Sequence, residues 1–267
     1  CCDQSSAHIL FENDLVNDEY NSLNYNREFF TDERIKQNTL QEYEESDFIL
    51  VPSEYVKSTF KKNYHHKIFV NNFGINTKNF FPIENIIKDN KYFDIIYIGG
   101  ISIRKGIHYL IDAFNNLNYS KKRLHLIGSH IENDKKFLKK RISQDNIIIY
   151  GHVPQLKLNE IINKCDVFVT ATLSVGYANV INQAVASGCP VIVTENSGAK
   201  EYVQSNKCGF VVPIRDSKSI SDKLTTILDD KVLLKNLTEN SKNAGKNNTW
   251  VNYVNRLEEF INYSYSN

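Results

Sequence analysis

From residue 93 onward, six short apolar runs rich in β-branched residues recur along the chain. They are FDIIYIG (93–99), RLHLIG (123–128), NIIIYG (146–151), DVFVT (166–170), PVIVT (190–194) and GFVVP (209–213). Segments with helical spacing separate them. Ile107, Leu110, Ile111 and Phe114 stand at i, i+3, i+4 and i+7, which predicts one amphipathic helix. Leu156, Ile161 and Ile162 mark a second, and Ile220, Leu224 and Ile227 a third. Continuous apolar strands that alternate with amphipathic helices predict an α/β fold, a parallel sheet covered on both faces. Several strands run into glycine or another small residue, which opens a crevice at their carboxyl ends, where ligands bind in this architecture.

Residues 1–76 carry a different pattern. Helices are predicted near 9–20 and 33–46, followed by a strand DFILVP (47–52). Ser53 is placed to cap a helix over 54–63. A strand KIFVNN (67–72), a turn FGIN (73–76) and a linker FFPIENIIKDNK (80–91) complete the segment. This is too little for a whole α/β domain and fits the last third of one. From Thr249 a final helix carries Trp250, Tyr253, Val254, Leu257, Phe260 and Ile261 on one face, a stripe that core packing is expected to cover.

The chain has 267 residues, 41% of them hydrophobic and 12% aromatic, enough for a substantial core. Lys+Arg 32 against Asp+Glu 31 argues against a nucleic-acid partner held by bulk charge. Cys1, Cys2, Cys165, Cys189 and Cys208 are odd in number and form no C-x-x-C pair. A disulfide framework and a zinc site are therefore not expected, and a reducing compartment fits. No apolar run approaches the ~18 residues of a membrane span, and no signal peptide is visible, so the expected location is cytoplasmic. The basic run KKFLKKR (135–141) would allow weak peripheral contact with an anionic membrane surface, although a solvated helix face is the simpler reading. The chain contains no Met and opens inside a structured-looking segment, CCDQSSAHIL, which reads as an N-terminally truncated fragment.

Neither G-x-G-x-x-G nor G-x-x-x-x-G-K-[ST] occurs, so the dinucleotide and P-loop readings lose their support. Two other stretches carry chemistry. In YIGGISIRKGIHYLIDAF (97–114), Gly99 and Gly100 permit close backbone approach, and Lys105 sits at the start of a helix. The helix dipole disfavours a cation there, and a bound phosphate would reconcile the two; a solvated turn is the plain alternative. In SVGYANVINQAVASGCPVIVT (174–194), Gly176 precedes a helix that starts near Ala178. Its first N–H groups are free to bind an anion. Asn179, Asn182 and Gln183 make that helix polar, which reads as a face turned to a diphosphate and its sugars.

With these residues in view, the chain resembles the retaining glycosyltransferases of family four (glycosyltransferase group 1), of bacterial surface-polysaccharide type and GT-B fold. The resemblance is carried by GGISIRKGIHYLIDAF, by the run from YGHVPQ to GAKEYV (150–203), by GFVVP, and by TWVNYVNRL; CCDQSSAHI and VPSEYVKSTF add to it at the start. It implies three parts. Residues 1–76 would be the end of the acceptor-side domain, 77–248 the Rossmann-like donor domain, and 249–267 a helix returning to the first domain. It implies a nucleotide-diphosphate-sugar donor, a glycan or lipid-linked acceptor, action at the inner face of the membrane, and no metal or other cofactor. Lys105 matches the family's lysine on the donor diphosphate. Gly176, Tyr177, Ala178, Asn179 and Val180 match the loop and helix start that hold phosphate and sugar. His152 and Val153 fall where backbone meets the base. His8 matches a histidine on the acceptor side of the cleft, and with Lys105 and Gln183 completes the implied catalytic set.

Three positions depart from the family pattern. The family has glutamates where this chain has Val175 and Gln183, with the spacing of the pair preserved, and often an arginine where it has Gly100. Glutamine can still bond a ribose hydroxyl, but valine accepts nothing. A buried sugar hydroxyl left unpaired costs about 1–3 kcal/mol, or roughly tenfold to more than a hundredfold in rate if the bond tightens in the transition state. Losing the arginine removes a charge-assisted contact to phosphate. A catalytically impaired nucleotide-sugar- or glycan-binding relative is therefore the alternative.

Overall fold

The computed structural model describes residues 1–26, 28–29, 31–129, 132–142 and 145–266, with the side chains of 132, 133, 135, 265 and 266 left out; the basic run at 135–141 is thus described only in part. The first half runs β1 (Cys2–Asp3), α1 (Ile9–Ser22), α2 (Glu33–Glu45), β2 (Ile49–Val51), α3 (Glu54–Ser58), a 3₁₀ turn (Lys62–Lys67) and β3 (Ile68–Val70). These strands form a parallel sheet in the order β1-β2-β3. The second half runs β4 (Phe93–Ile98), α4 (Ile107–Asn116), β5 (Lys122–Ile127), α5 (Glu132–Lys139), β6 (Ile147–Gly151), α6 (Gln155–Lys164), β7 (Val167–Val169), α7 (Asn179–Ala186), β8 (Val191–Thr194), α8 (Lys200–Ser205), β9 (Gly209–Val212), α9 (Ser217–Asp229), α10 (Lys231–Asn247) and α11 (Trp250–Ser266).

The second sheet has six parallel strands in the order β6-β5-β4-β7-β8-β9. The chain winds outward from β4 in one direction, returns, and winds outward from β7 in the other. The crevice between β4 and β7 is the topological switch point, where α/β sheets hold ligands at their carboxyl ends. β4 shows why its sequence reads as an unbroken apolar run. Ile95 and Tyr97 enter the core on one face, and Ile96 and Ile98 the core on the other.

Local chemistry sets the ends of several helices. Ser53 caps α3 by accepting from the Val56 N–H, while Asp216 and Asp230 cap α9 and α10. The helix expected over 54–63 stops at Ser58. The Thr59 hydroxyl donates back to the Val56 carbonyl at 2.6 Å and accepts from the His8 N–H at 2.8 Å. Phe60 then turns into the core of the first sheet, and the chain rewinds as the 3₁₀ turn.

Two of the contact regions between the halves lie on α1 and α11. On α1, Val16 and Tyr20 pack with Ile103 of the β4–α4 loop. One turn away, the fully buried Glu19 carboxylate meets His108 Nε2 and the Tyr109 hydroxyl at 2.8 Å each and Arg215 Nε at 2.6 Å. The second seam is α11, which lies back along β3. Phe260 stacks on Phe69 with ring centroids 3.9 Å apart, and Arg256 donates to the Asn71 side chain and the Asn72 carbonyl. Core packing covers only part of the apolar stripe: Trp250, Val254 and Ile261 are 41%, 46% and 42% exposed.

Candidate active site

At the switch point lies a cleft of ≈ 230 Å³ lined by Tyr97, Ile98, Gly99, Lys105, Thr170, Thr172, Val175, Ala178, Asn179 and Val180. Two connections supply it: the β4–α4 loop, and the β7–α7 loop with the first residues of α7. The β4–α4 loop is held rigidly. Gly106 stands at the start of α4 with φ 64°, and a β-carbon there would lie 1.8 Å from the Ala171 carbonyl oxygen, so glycine is required by both conformation and space. The Lys105 N–H bonds to the Ser102 carbonyl and hydroxyl at 3.2 and 3.3 Å.

Lys105 is the cation of this cleft. Burial, with a smaller push from the neighbouring Arg104, lowers its pKa to about 8. An anion bound beside it would restore the proton. Phosphate binding should therefore be strongest below the lysine's pKa and weaken as pH rises through about 8. Near that pH, binding should take up a proton. Calorimetry in buffers of different ionisation enthalpy reads this, and Lys105→Ala should remove the proton uptake that exceeds the phosphate's own titration.

α7 begins opposite Lys105. No side chain caps it, and Ala178 and Asn179 at its first positions line the cleft. The Ile181 N–H is taken by the Ala178 carbonyl at 2.9 Å; the N–H groups before it, with the helix dipole, suit this end to an anion. The approach is fixed by contacts with the first half. A β-carbon on Gly176 would lie 1.9 Å from the Ser5 carbonyl oxygen, the Ser53 hydroxyl donates to the Gly176 carbonyl at 2.8 Å, and the Tyr55 hydroxyl donates to Ser174 at 2.8 Å.

Of the residues singled out by sequence, Gly99, Lys105, Val175, Ala178, Asn179 and Val180 meet in the cleft. Gly100 follows directly, exposed, with open space around any β-carbon added there. Val153 packs in the same apolar cluster as Ala178 and Val180, beside the exposed His152 at the end of β6. Gln183 lies one turn into α7, and its side-chain Oε1 is buried without a hydrogen-bond partner. His8 is not among the residues lining the cleft and stands at the amino end of α1. Its Nδ1 caps that helix by accepting from Leu10 N, and its ring sits between Tyr43 and Phe60. Burial, and then the charge of Lys61, lowers its pKa.

Two polar residues do other work than the sequence suggested. Asn182 is buried: it donates to the Phe73 carbonyl at 3.0 Å and accepts from the Tyr177 hydroxyl at 3.2 Å. This corrects the reading of Asn182 as facing sugar. It satisfies the carbonyl of Phe73 in the turn that follows β3. The Tyr177 phenol belongs to the same internal network and also accepts from Asn248, leaving Tyr177 only its backbone to offer a ligand. Sequence reasoning missed Thr170, which ends the β7 run, Thr172 just beyond it, and Tyr97 and Ile98, which read only as strand residues. A rule that takes the carboxyl ends of both switch-point strands would have found all four.

Two parallel sheets, of three and six strands, the larger with a crevice at its switch point, are the makings of the GT-B type. Sucrose-phosphate synthase from Thermosynechococcus elongatus superposes with a TM-score of 0.77 at 19% identity, covering 88% of this chain and 62% of that one. Anabaena HepE, solved in complex with UDP and glucose, superposes with a TM-score of 0.76 at 16% identity, covering 88% of this chain and 68% of its own. The profile of the glycosyl transferases group 1 family matches residues 79–244, more than half of the chain, and the protein belongs to that family. The capsular polysaccharide biosynthesis glycosyltransferase CapM of Staphylococcus aureus is 31% identical over 170 residues, 61% of this chain and 43% of CapM. An uncharacterized glycosyltransferase of Methanocaldococcus jannaschii is 25% identical over 214 residues, 77% of this chain and 56% of its own. The chain thus spans about half the length of the curated relatives it matches. Among the described residues, no helix is long and apolar enough to cross a membrane.

Proposed function

We propose that the protein transfers a sugar, with retention at the anomeric carbon, from a nucleotide-diphosphate-sugar donor to a glycan or lipid-linked acceptor in polysaccharide synthesis. The observation that carries this reading is the meeting of Lys105 and the uncapped amino end of α7 in one cleft at the switch point. The leaving group of such a reaction is a nucleoside diphosphate whose negative charge grows as the glycosidic bond breaks. Preorganised N–H donors and an ammonium group stabilise that charge, and no metal ion is assigned a part. The cleft is smaller than the ~300–1,000 Å³ of typical small-molecule sites, which fits the phosphate-and-sugar end of a donor rather than all of it. No Asp or Glu is among the described residues lining it. The leaving phosphate is then the base for the incoming hydroxyl, which attacks from the same face.

Titration with UDP, GDP and their sugars, followed by assay of released nucleotide with candidate acceptors, tests this reading. Nucleotide release that depends on acceptor supports it, and failure of every diphosphate to bind overturns it. One observation favours a second reading, a binding relative with little turnover: Val175 leaves the cleft wall without an acceptor for sugar hydroxyls. Val175→Glu separates the two. It should raise turnover by about tenfold or more if the missing acceptor limits the reaction. Unchanged turnover would show that valine suits the sugar this site takes.

A further inference from the structure

Deepening the reading above, on which it rests, we propose that Ser53 is a positioning residue: from the first half of the chain it fixes the Gly176–Tyr177 peptide so that the Tyr177 N–H is presented to phosphate. Ser53 is fully buried, and its hydroxyl donates to the Gly176 carbonyl at 2.8 Å. The same oxygen accepts from the Val56 N–H at 3.2 Å as the cap of α3. A hydroxyl has one proton to give, and the cap leaves this one committed to Gly176.

The β7–α7 loop shows why that bond matters. Its successive carbonyls are all taken. The Thr194 hydroxyl donates to Thr172 at 2.8 Å, Asn196 Nδ2 to Leu173 at 3.0 Å, the Thr172 hydroxyl to Ser174 at 3.0 Å and the Gly198 N–H to Val175 at 3.0 Å. Those donors belong to the second half. The next carbonyl, Gly176, is held by Ser53 from the first. A trans peptide sends its C=O and its N–H to opposite sides. Holding the Gly176 carbonyl against Ser53 therefore aims the Tyr177 N–H the other way. Among the described residues none accepts from that N–H, although Tyr177 is only 5% exposed. A buried N–H without a partner is rare, and Val175 and Ala178 on either side of this peptide both line the cleft. A phosphate oxygen is the acceptor that the proposed donor brings there. The junction is also tight. A β-carbon on Gly198 would lie 1.6 Å from the Gly176 carbonyl oxygen and 2.5 Å from Ser53 Oγ, so glycine is what lets carbonyl and hydroxyl meet. Without the hydroxyl the carbonyl is left buried and unpaired, and the peptide relieves this by rotating, which turns its N–H away from the phosphate.

The test is titration of inorganic pyrophosphate, followed by calorimetry and by backbone amide NMR, into the wild-type protein and the variants Ser53→Ala, Ser53→Gly and Tyr55→Phe. Thermal unfolding serves as the check on folding. Ser53→Ala should weaken binding about tenfold, the scale of one charge-assisted hydrogen bond. In that variant the Tyr177 amide should lose its response to pyrophosphate while Asn179 and Val180 keep theirs. Ser53→Gly should do the same, and glycine keeps most of the cap on α3, so it decides the matter if the alanine variant does not fold. Tyr55→Phe is the control. It removes the neighbouring bond from the first half to the Ser174 side chain and frees no loop carbonyl, so affinity should stay within about twofold of wild type. An equal loss with Tyr55→Phe would make both residues mere struts between the halves, and that result overturns the proposal. So does a Tyr177 response that persists in the serine variants, or the failure of both to fold. Wild-type binding that both serine variants leave unchanged defeats this inference alone. A wild-type protein that does not bind pyrophosphate defeats the functional reading beneath it.

Discussion

Replacing Glu19 with alanine should lower the thermal unfolding midpoint by about 10 °C. Removing one partner from a buried, hydrogen-bonded ionic cluster costs about 3–5 kcal/mol, and each kcal/mol is worth ~2–4 °C in a chain of this size class. Glu19 fits that case: it is wholly buried and holds His108, Tyr109 and Arg215 at once. Arg215 reaches solvent and can rehydrate, but His108 is buried and its Nδ1 already has no partner, so the alanine variant would strand both ring nitrogens. Burial pushes the Glu19 pKa up, yet the bonds from His108, Tyr109 and Arg215 outweigh it and leave the pKa below the ordinary carboxylate value. The sign follows. Its contribution to stability is full above the unfolded carboxylate pKa of ~4.3 and is lost as pH falls through the lower folded value. Glu19→Gln should cost less than alanine and should flatten the acid side of the stability profile. A midpoint for the alanine variant within about 2 °C of wild type would show that this cluster does not hold the halves together.

The second large effect concerns ligand affinity. Lys105→Ala should weaken nucleoside diphosphate binding about a hundredfold and leave nucleoside binding nearly unchanged. The lysine donates charge-assisted bonds of about 1.5–3 kcal/mol each, and its partly desolvated setting strengthens them. A nucleoside has no group for it to meet. Calorimetry on the matched pair reads the difference, and equal losses for both ligands would mean that the alanine disturbs the cleft rather than removing a phosphate contact.

Much of the second half was legible because its strands are buried on both faces. Ile95, Ile96, Tyr97 and Ile98 must all be apolar whichever way they point, and such runs between amphipathic helices have few other solutions. Lys105 and the start of α7 were legible for a similar reason, since a cation ahead of a helix and a helix start without a cap are both local oddities. What escaped depends on partners far along the chain. Glu19 looks like an ordinary surface carboxylate on α1 until Arg215 arrives from 196 residues away. Asn182 looked like a ligand contact because its role depends on the Phe73 carbonyl, 109 residues distant. Arg104 pairs with Glu12, 92 residues away, a contact that only the fold makes. Polarity on a helix shows that a polar partner is needed, but not whether a ligand or the protein's own backbone supplies it.

The central claim is that the amino end of α7 and Lys105 hold phosphate between them. Backbone amide shifts recorded by NMR during titration with pyrophosphate test it most directly. The account predicts that the largest changes fall on the amides of residues 176–180 and on Lys105, saturating together at one affinity. Changes confined to other surfaces, or none at saturating pyrophosphate, would contradict it.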